Sequence, residues 1–573
     1  MQDIILSLSN VIGAHALDIY LRLNSAAELV GFAIAPTWNR AWHRIDASRL
    51  ITTDESLYGA IAIEFKSDGY VAPPPEMRQA IIAITAKAIG EGFSGTYEIN
   101  DGALSRSGML SARAAPPIRA EKVEFELVLD HIHTWGEGKL WKQRAQILFE
   151  RICGENRPGI MFSVVGPIGG MTAPVDATAI RVRGGEISAE LTLQLRFDEP
   201  ENYPHPLSED VKLSLRGIII GTRIAGEYTR TGQDNLRTVH AFGGTLKPRF
   251  PGPRRTFAHP CLLNTTADIT YIREMLSKNA QPWSIGLDAV SRHAAAFLAH
   301  NPQPFNSSIG THHSKPGDIR ALMADGRAAY GLALLFTFTG EPEYAVKAAD
   351  IIRAWVTTLQ SVKFGNTLMS QYTWPTFCWA VELLRDFPMT GENFGAFQRL
   401  LRDVVYPAAH WSFHRSSNTH SWNLCFRMSC AVILDDSDMF NEVLEDYPDH
   451  VTTYIKVDGR VADKRPDLGH IQMGLAPMVA VCETAWKQGI DLYCVADNRL
   501  LSAIEWVIPF LTGEKQHPDR GSPLFFDFYE MAYNHFHHRR GVSTPHLERF
   551  TLQRRPEDFS RIGWGTLTHA GVR

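Results

Sequence analysis

Up to about residue 250, apolar and polar side chains alternate in short runs, as in Ile61-Ala-Ile-Glu-Phe65, Lys122-Val-Glu-Phe-Glu-Leu-Val-Leu129 and Glu190-Leu-Thr-Leu-Gln-Leu-Arg-Phe197. A period of two sends successive side chains to opposite faces of a strand, one buried and one wet. Turns rich in glycine and proline, such as Gly166-Pro-Ile-Gly-Gly170, separate the runs. The pattern predicts one or two antiparallel units of the sandwich or jelly-roll kind. Two segments, 76–91 and 140–150, read as helices inside this region. The stretch Lys247-Pro-Arg-Phe-Pro-Gly-Pro-Arg-Arg255 is basic and proline-rich, which marks a linker and places the domain boundary there.

Beyond it the period changes to that of helices. The spacing predicts helices near 267–278, 283–299, 318–339, 342–360, 374–387, 393–412, 420–434, 437–455, 470–487, 496–511 and 525–537. Gly340 after Thr339 and Pro342 at the next start hold the positions these residues favour at helix ends. No repeat signature of solenoid length recurs, so the expectation is a closed (α/α) toroid or incomplete barrel from 257 to 573. The fold class is therefore multidomain α+β, a mainly β region followed by the helical one. A carbohydrate-binding or a cleft-capping role for the β region stays open.

In an up-down ring of helices, the loops before every second helix share one end. Here those loops are the polar ones: Thr311 to Asp318, Gln371 to Trp374, Arg415 to Trp422, Asp463 to His470 and Arg520 to Pro523. Loops of the other end, such as Gly340-Glu-Pro342, carry only capping residues. One mouth lined with histidine, arginine and asparagine is what a cleft for an anionic ligand needs.

Composition narrows the ligand. With 45% hydrophobic and 21% charged residues, a net charge of −5 and 573 residues, the chain reads as an ordinary globular protein of two or three domains. The acidic balance argues against nucleic acid. Seven cysteines form no C-x-x-C pair and sit mostly in apolar helical contexts, so neither disulfides nor zinc is expected, nor any cofactor. His312-His313 and His535-x-His537-His538 lack a third ligand at metal spacing and read as polar loop and solvated face. No basic n-region precedes Arg22 and no run of eighteen apolar residues occurs, so a cytoplasmic enzyme without a membrane span is expected. A chain whose leader had been removed would instead be secreted. Homo-oligomerisation is left open.

The segments that carry chemistry are Asn418-Thr-His-Ser-Trp-Asn423 and Arg465-Pro-Asp-Leu-Gly-His-Ile-Gln472. Together with Phe257 to Asp268, Gly340 to Trp355, Trp379-Ala-Val-Glu-Leu-Leu384, Gln488 to Leu500 and Gly563-Trp-Gly-Thr-Leu567, they resemble the alginate lyase family of polysaccharide lyases. The resemblance runs from about 257 onward and leaves the first 250 residues aside. It implies an (α/α) toroid and β-elimination of a uronic-acid oligo- or polysaccharide by an Asn-His pair and an Arg-Tyr set. Thr419 stands where the familiar members carry the second Asn of an Asn-Asn-His triplet, which puts alginate itself in doubt. No Tyr stands near Arg465, so the tyrosine comes from elsewhere: Tyr372, Tyr493, Tyr529 or Tyr533.

Removing the C5 proton of a uronate places a second negative charge beside the carboxylate, so donors must be aimed at the developing dianion. His420 or a tyrosine is the candidate base, Asn418 and Arg465 the carboxylate neutralisers and His470 a second donor. Lys315 and Arg415 suit ion pairs with neighbouring uronates. His312, His313, Trp374, Trp422, Asn423 and Gln472 complete the candidate substrate contacts at the mouth.

Each choice has a structural competitor. Asn418 serves equally as a helix cap, His420 as a core histidine, and Asp467 as the cap or ion-pair partner beside Arg465 and His470. Glu382, in an apolar helix, suits either acid catalysis or a structural pair with Arg385. Two other functions follow from these readings: a glycoside hydrolase using paired carboxylates such as Glu382 and Asp467, and a non-catalytic carbohydrate-binding protein.

Overall fold

The structure is a computed structural model that describes residues 3–12, 15–23, 29–34, 42–64, 79–100, 105–115, 118–129, 145–165, 169–197, 208–232, 237–309, 318–363, 368–387, 391–411, 417–463, 465–519 and 526–572. The chain divides into two compact units, Met1–Phe250 and Pro251–Arg573.

The first unit is all-β, but its strands close into rings instead of stacking as sandwich or jelly-roll sheets. Ile4–Ile12 pairs with the next strand, His15–Leu23, and also with the eighth, Ser105–Ala114, setting Ile4 between Leu21 and Ala114. A second path starts at Lys122–Leu129 and Ala145–Ile152, and continues through Gly159–Val165, Gly169–Val175, Glu186–Phe197, Ser208–Ile220 and Arg223–Thr231. It ends at Arg237–Arg249, which pairs back onto Lys122–Leu129. Closure gives every strand of each ring a partner on both sides. Each ring encloses its own apolar core, one around Leu6, Ile19, Ile61 and Ile82, the other around Leu127, Phe149, Leu191 and Leu213. A smaller cluster of Ile5, Tyr20, Phe32, Ile220 and Ala225 joins them.

Both segments expected to be helical in this region are strands. Gln79–Ile89 alternates exposed and buried positions from Gln79 through Ala86, so its period is two despite its alanines and isoleucines. Ala145–Ile152 pairs on both sides within the second ring. Residues 76–78 and 140–144 lie outside the described residues.

The second unit is helical. Its first half holds α1 (Thr266–Ser277), α2 (Trp283–Ser291), α3 (Ala294–Ala299), α4 (Asp318–Thr339), α5 (Pro342–Thr358), α6 (Leu368–Leu383), α7 (Gly391–Leu400) and α8 (Tyr406–Ala409). Then come α9 (Asn418–Ile433), α10 (Ser437–Tyr454), α11 (Leu468–Lys487), α12 (Val495–Leu511), α13 (Tyr529–Tyr533), α14 (Pro545–Arg554) and α15 (Gly565–Thr568). The expected span 283–299 is two helices, and 393–412 is interrupted by a wider π-type turn at Leu401–Val405. The helix expected at 374 begins at Leu368 and carries Pro375 inside it.

Packing runs in a ring. α4 packs on α6, α6 on α9, α9 on α11, α11 on α13, α13 on α15, α15 on α2, and α2 back on α4. α5, α10 and α12 lie outside it, against α4, α9 and α11 respectively. An inner helix is covered on all sides, which is why α9 is buried along nearly its whole length, from Asn418 to Ile433, with only Thr419 partly exposed. Five of the cysteines, Cys261, Cys378, Cys425, Cys430 and Cys482, are buried, whereas Cys153 and Cys494 are exposed. No helix among the described residues is long and apolar enough to cross a membrane.

The closing contact needs a glycine. A Cβ on Gly286 of α2 would lie 2.7 Å from the Leu567 backbone nitrogen and 2.8 Å from its Cα in α15. Backbone cannot yield as a flexible side chain can. Gly286→Ala is expected to destabilise the helical unit by about 1–3 kcal/mol, read as an earlier urea midpoint; an unchanged midpoint would show that α15 does not hold the ring shut.

Candidate active site

The N-terminal ends of α6, α9 and α11 carry the site. α9 starts without a side-chain cap from Ser417, and Asp463 takes over that role. Its Oδ2 accepts the Asn418 backbone N–H at 2.8 Å, the Asn418 Nδ2 at 3.1 Å and the Tyr454 hydroxyl at 2.9 Å. A carboxylate at the positive end of a helix is favourable by charge as well as by hydrogen bonding. The competing role weighed for Asn418, that of cap, therefore falls to its neighbours, and its amide is held against Asp463.

Asp467 caps α11. Its Oδ1 accepts the Gly469 and His470 backbone N–H groups, both at 3.0 Å, and its Oδ2 lies 2.6 Å from His470 Nδ1. Burial alone would raise the Asp467 pKa, yet the His470 and Gly469 N–H donors and the imidazole hold it below the usual carboxylate range. An ionised carboxylate only accepts, so Nδ1 of His470 carries the proton and Nε2 of the neutral ring is an acceptor. His470 keeps 32% of its side chain exposed, which makes that nitrogen reachable from solvent.

Tyr372 sits in the first half of α6, and its ring centroid lies 5.5 Å from that of Trp422. Trp422 stands one turn beyond Asn418 on α9, so the two share a face. Arg561, in the segment before α15, places its guanidinium carbon 5.4 Å from the Tyr372 ring and 5.1 Å from that of Phe526. The Phe526 N–H and the Tyr529 hydroxyl both donate to Gln472 Oε1 in α11, two residues beyond His470. Tyr372, Trp422, Arg561, Phe526 and Gln472 are thus linked through their contacts, with Asn418 one turn before Trp422 on α9 and His470 two residues before Gln472 at the start of α11. A cleft of about 520 Å³ opens beside these contacts, lined by Tyr372, Thr376, Phe526, Arg561, Arg327, His300 and Phe559 among others. Arg327 and Arg561 place two guanidinium groups on this wall although the chain as a whole is acidic.

Several residues expected at the mouth are interior braces. Trp374 is 1% exposed and packs on Trp355 and Phe377. Trp422 and Gln472 are fully buried, and Asn423 spends its Nδ2 on the His410 carbonyl. Tyr493 is buried elsewhere, stacked on His535 at 3.9 Å with its hydroxyl donating to Glu483 and the Val479 carbonyl. Trp374, Trp422, Asn423 and Gln472 do not reach open solvent because the helices that carry them belong to the inner ring, which is covered on all sides. Tyr529 is likewise interior, and Tyr533 donates to Glu548. His420 is 6% exposed, its ring edge-on to His450 at 4.8 Å. The Arg465 side chain is exposed, while its backbone N–H donates to Asp463. His312, His313, Lys315 and Arg415 lie outside the described residues.

Glu382 is a structural partner. Its Oε1 lies 2.6 Å from His259 Nδ1 and accepts the Cys261 N–H at 3.0 Å, and its Oε2 is 3.4 Å from Arg385. His259 also bonds Asp435, just past the C-terminal end of α9. Asp467 belongs to the other end, at the start of α11 and four residues after the Asp463 that bonds Asn418. The sixteen residues of α9 span roughly 24 Å, far more than the roughly 5–9.5 Å that paired hydrolytic carboxylates require. That pairing is therefore not formed. The ligand-type atoms of His259, Cys261 and Glu382 lie within 4.8 Å of one another. Arg385 already supplies the cation there, 3.1 Å from His259 Nδ1, and burial pushes the Cys261 thiol up so that it stays protonated. The cluster reads as a brace, not a metal centre.

Arg561 is the residue that sequence reading missed. It lies well beyond both motifs, and nothing in Ser560-Arg561-Ile562 marks it.

Residues 289–517 match the family model described as alginate lyase. The matched stretch lies within the helical unit and covers less than half of the chain, so this unit is similar to the alginate lyases, a class of polysaccharide lyase. No curated protein matches the chain. Among solved structures, alginate lyase A1-III from Sphingomonas species A1 is 17% identical with a TM-score of 0.43, covering 55% of this chain and 99% of its own. An apo form of alginate lyase A1-III is 18% identical with a TM-score of 0.42, covering 53% and 94%. A form complexed with a tetrasaccharide is 16% identical with a TM-score of 0.42, covering 55% and 98%.

Proposed function

We propose that the helical unit cleaves a uronic-acid-containing oligo- or polysaccharide by β-elimination in the cleft beside Tyr372. The observation that carries this reading is the His470–Asp467 pair at the start of α11, a helix that packs on α9, whose own start carries Asn418 and which packs on α6 with Tyr372. His470 Nε2 takes the C5 proton of the uronate. Asn418 and His420 donate toward its carboxylate as the dianion develops, which lowers the barrier because that charge exists only along the reaction path. The C4–O bond breaks, its electrons leave with the bridging oxygen, and a C4–C5 double bond remains.

The leaving oxygen needs a proton, and Tyr372 is suited to give it. Burial raises its phenol pKa, with Arg561 pulling the other way, so the group stays protonated at neutral pH. It serves as acid instead of as tyrosinate base. The hydroxyl now rests 2.8 Å from the Met323 sulfur, a weak acceptor that substrate oxygen would replace.

The test is absorbance in the ultraviolet band of a conjugated enoate during incubation with a panel of uronate polymers and oligomers. A rise with wild type, reduced about 10²–10⁴-fold in kcat by Tyr372→Phe, is expected. New reducing ends without absorbance would sink the elimination reading.

A further inference from the structure

Arg561 has no carboxylate partner among the described residues, although its guanidinium is half-buried at the wall of a polysaccharide-cleaving cleft. One nitrogen donates to the Ser560 carbonyl at 2.6 Å, and Nε is buried without a hydrogen-bond partner. The other nitrogen-bearing side chains of the cleft are already engaged: Arg327 with Asp558 and His293, His300 with Asp325. Leaving a guanidinium desolvated and unpaired is costly unless something else completes it.

Its position is fixed with care. Asp527 accepts the backbone N–H groups of Ser560 at 2.6 Å, Arg561 at 2.9 and 3.0 Å, and Ile562 at 3.0 Å, so the main chain at 561 is clamped independently of the side chain. The rings of Tyr372 and Phe526 then flank the guanidinium, which holds a planar group by stacking and leaves its edge for a planar anion.

We propose that Arg561 is a specificity-determining residue that binds the carboxylate of the uronate across the scissile bond from the reacting sugar. The inference rests on the β-elimination reading, since Tyr372, the proton donor to the bridging oxygen, lies directly under this guanidinium. Asn418 and His420 meet the reacting carboxylate, and Arg561 meets its neighbour. A neutral sugar there would leave the cation unpaired, so the enzyme selects a run of uronates and not an isolated one.

The experiment compares wild type, Arg561→Ala and Arg561→Lys on a uronate oligosaccharide and on the same oligosaccharide methyl-esterified away from the reacting sugar. With the free acid, Arg561→Ala is expected to raise KM about 10- to 100-fold, the range of a charge-assisted hydrogen bond, while kcat stays within about threefold. Arg561→Lys is expected to fall between. Wild type should prefer the free acid and Arg561→Ala should not. An unchanged KM, or an equal rise on both substrates, overturns the proposal. Because Asp527 clamps the backbone, circular dichroism and the thermal midpoint should match wild type, and the lysine variant covers the case in which they do not. Should wild type form no unsaturated product from any uronate, the elimination reading falls by itself. Calorimetry with the free-acid oligosaccharide then decides: weaker binding by Arg561→Ala keeps the carboxylate site, and equal binding ends it.

Discussion

Replacing His470 with alanine is expected to lower kcat by about two to four orders of magnitude and to leave KM within a few-fold, as measured by formation of unsaturated product. The size follows from what the ring does. Asp467 accepts a hydrogen bond from Nδ1–H at 2.6 Å and fixes the tautomer, which leaves Nε2 as the proposed base. Asp467→Asn is expected to lower kcat by a comparable factor, because Oδ1 still caps α11 while the amide nitrogen in place of Oδ2 donates to Nδ1 and moves the ring proton to Nε2. The rival is His420, packed against His450 and nearly buried. Activity that survives His470→Ala and disappears in His420→Ala would transfer the base to α9.

The second large effect is on stability. Glu483, fully buried in α11, accepts two hydrogen bonds from Arg539 at 2.8 and 2.9 Å and lies 3.0 Å from Lys487, which also pairs with Asp268 at 2.8 Å. Burial by itself would raise the Glu483 pKa, yet Lys487, Arg539 and His569 hold it well below the usual range. Glu483→Gln keeps the shape and leaves two cations in the interior facing one carboxylate. A loss of about 3–5 kcal/mol is expected, read from urea unfolding followed by tryptophan fluorescence.

The pH dependence carries a sign that checks the cause. A carboxylate depressed on folding contributes its full stability above the ordinary glutamate value of about 4.3, and the contribution is lost as pH falls through the lower folded value. The gap between wild type and Glu483→Gln should therefore narrow only in strong acid. A gap that stayed constant into that range would mean packing, not charge, explains the loss.

How far the sequence anticipates this molecule depends on the distance over which each feature is decided. Asp318–Thr339 and Ser437–Tyr454 are visible in the chain because helical period, Gly340 and the capping Asp436 act within a few residues. Alternation likewise reveals Lys122–Leu129. Ring closure is invisible, since it is settled by Ile4 meeting Ala114 and Lys122 meeting Arg249, partners that no local pattern links. Gln79–Ile89 deceived because alanine and lysine favour helices, while tertiary pairing imposes the period of two.

The site divides the same way. Asn418 and His470 stand out because a short motif at a helix start places them, although which atom each one uses depends on Asp463 and Asp467. Trp374, Trp422 and Gln472 share the motifs but point inward, a distinction set by which helices form the inner ring. Arg561 depends on Phe526 and Asp527 from one distant segment and Tyr372 from another. No spacing rule announces such a meeting. The helices Pro545–Arg554 and Gly565–Thr568 were also unforeseen: the first carries a proline start signal that passes unnoticed without periodicity, and the second is too short to have any.

The two closed rings of the β unit have a further bearing, on solubility and on how that unit meets other molecules. A strand flanked by a partner on each side offers little to an incoming extended chain, so closure works against fibril growth and against capture of a peptide as an added strand, least so where Gly169–Val175 meets Glu186–Phe197 at only two positions. Among the described residues of the β unit, the short pieces Glu155–Asn156 and Ile180–Arg183 pair on a single side. Whatever the β unit recognises, it recognises with side chains on the outer faces and with the loops at the rims, surfaces that can change in evolution without disturbing the hydrogen-bonded frame beneath.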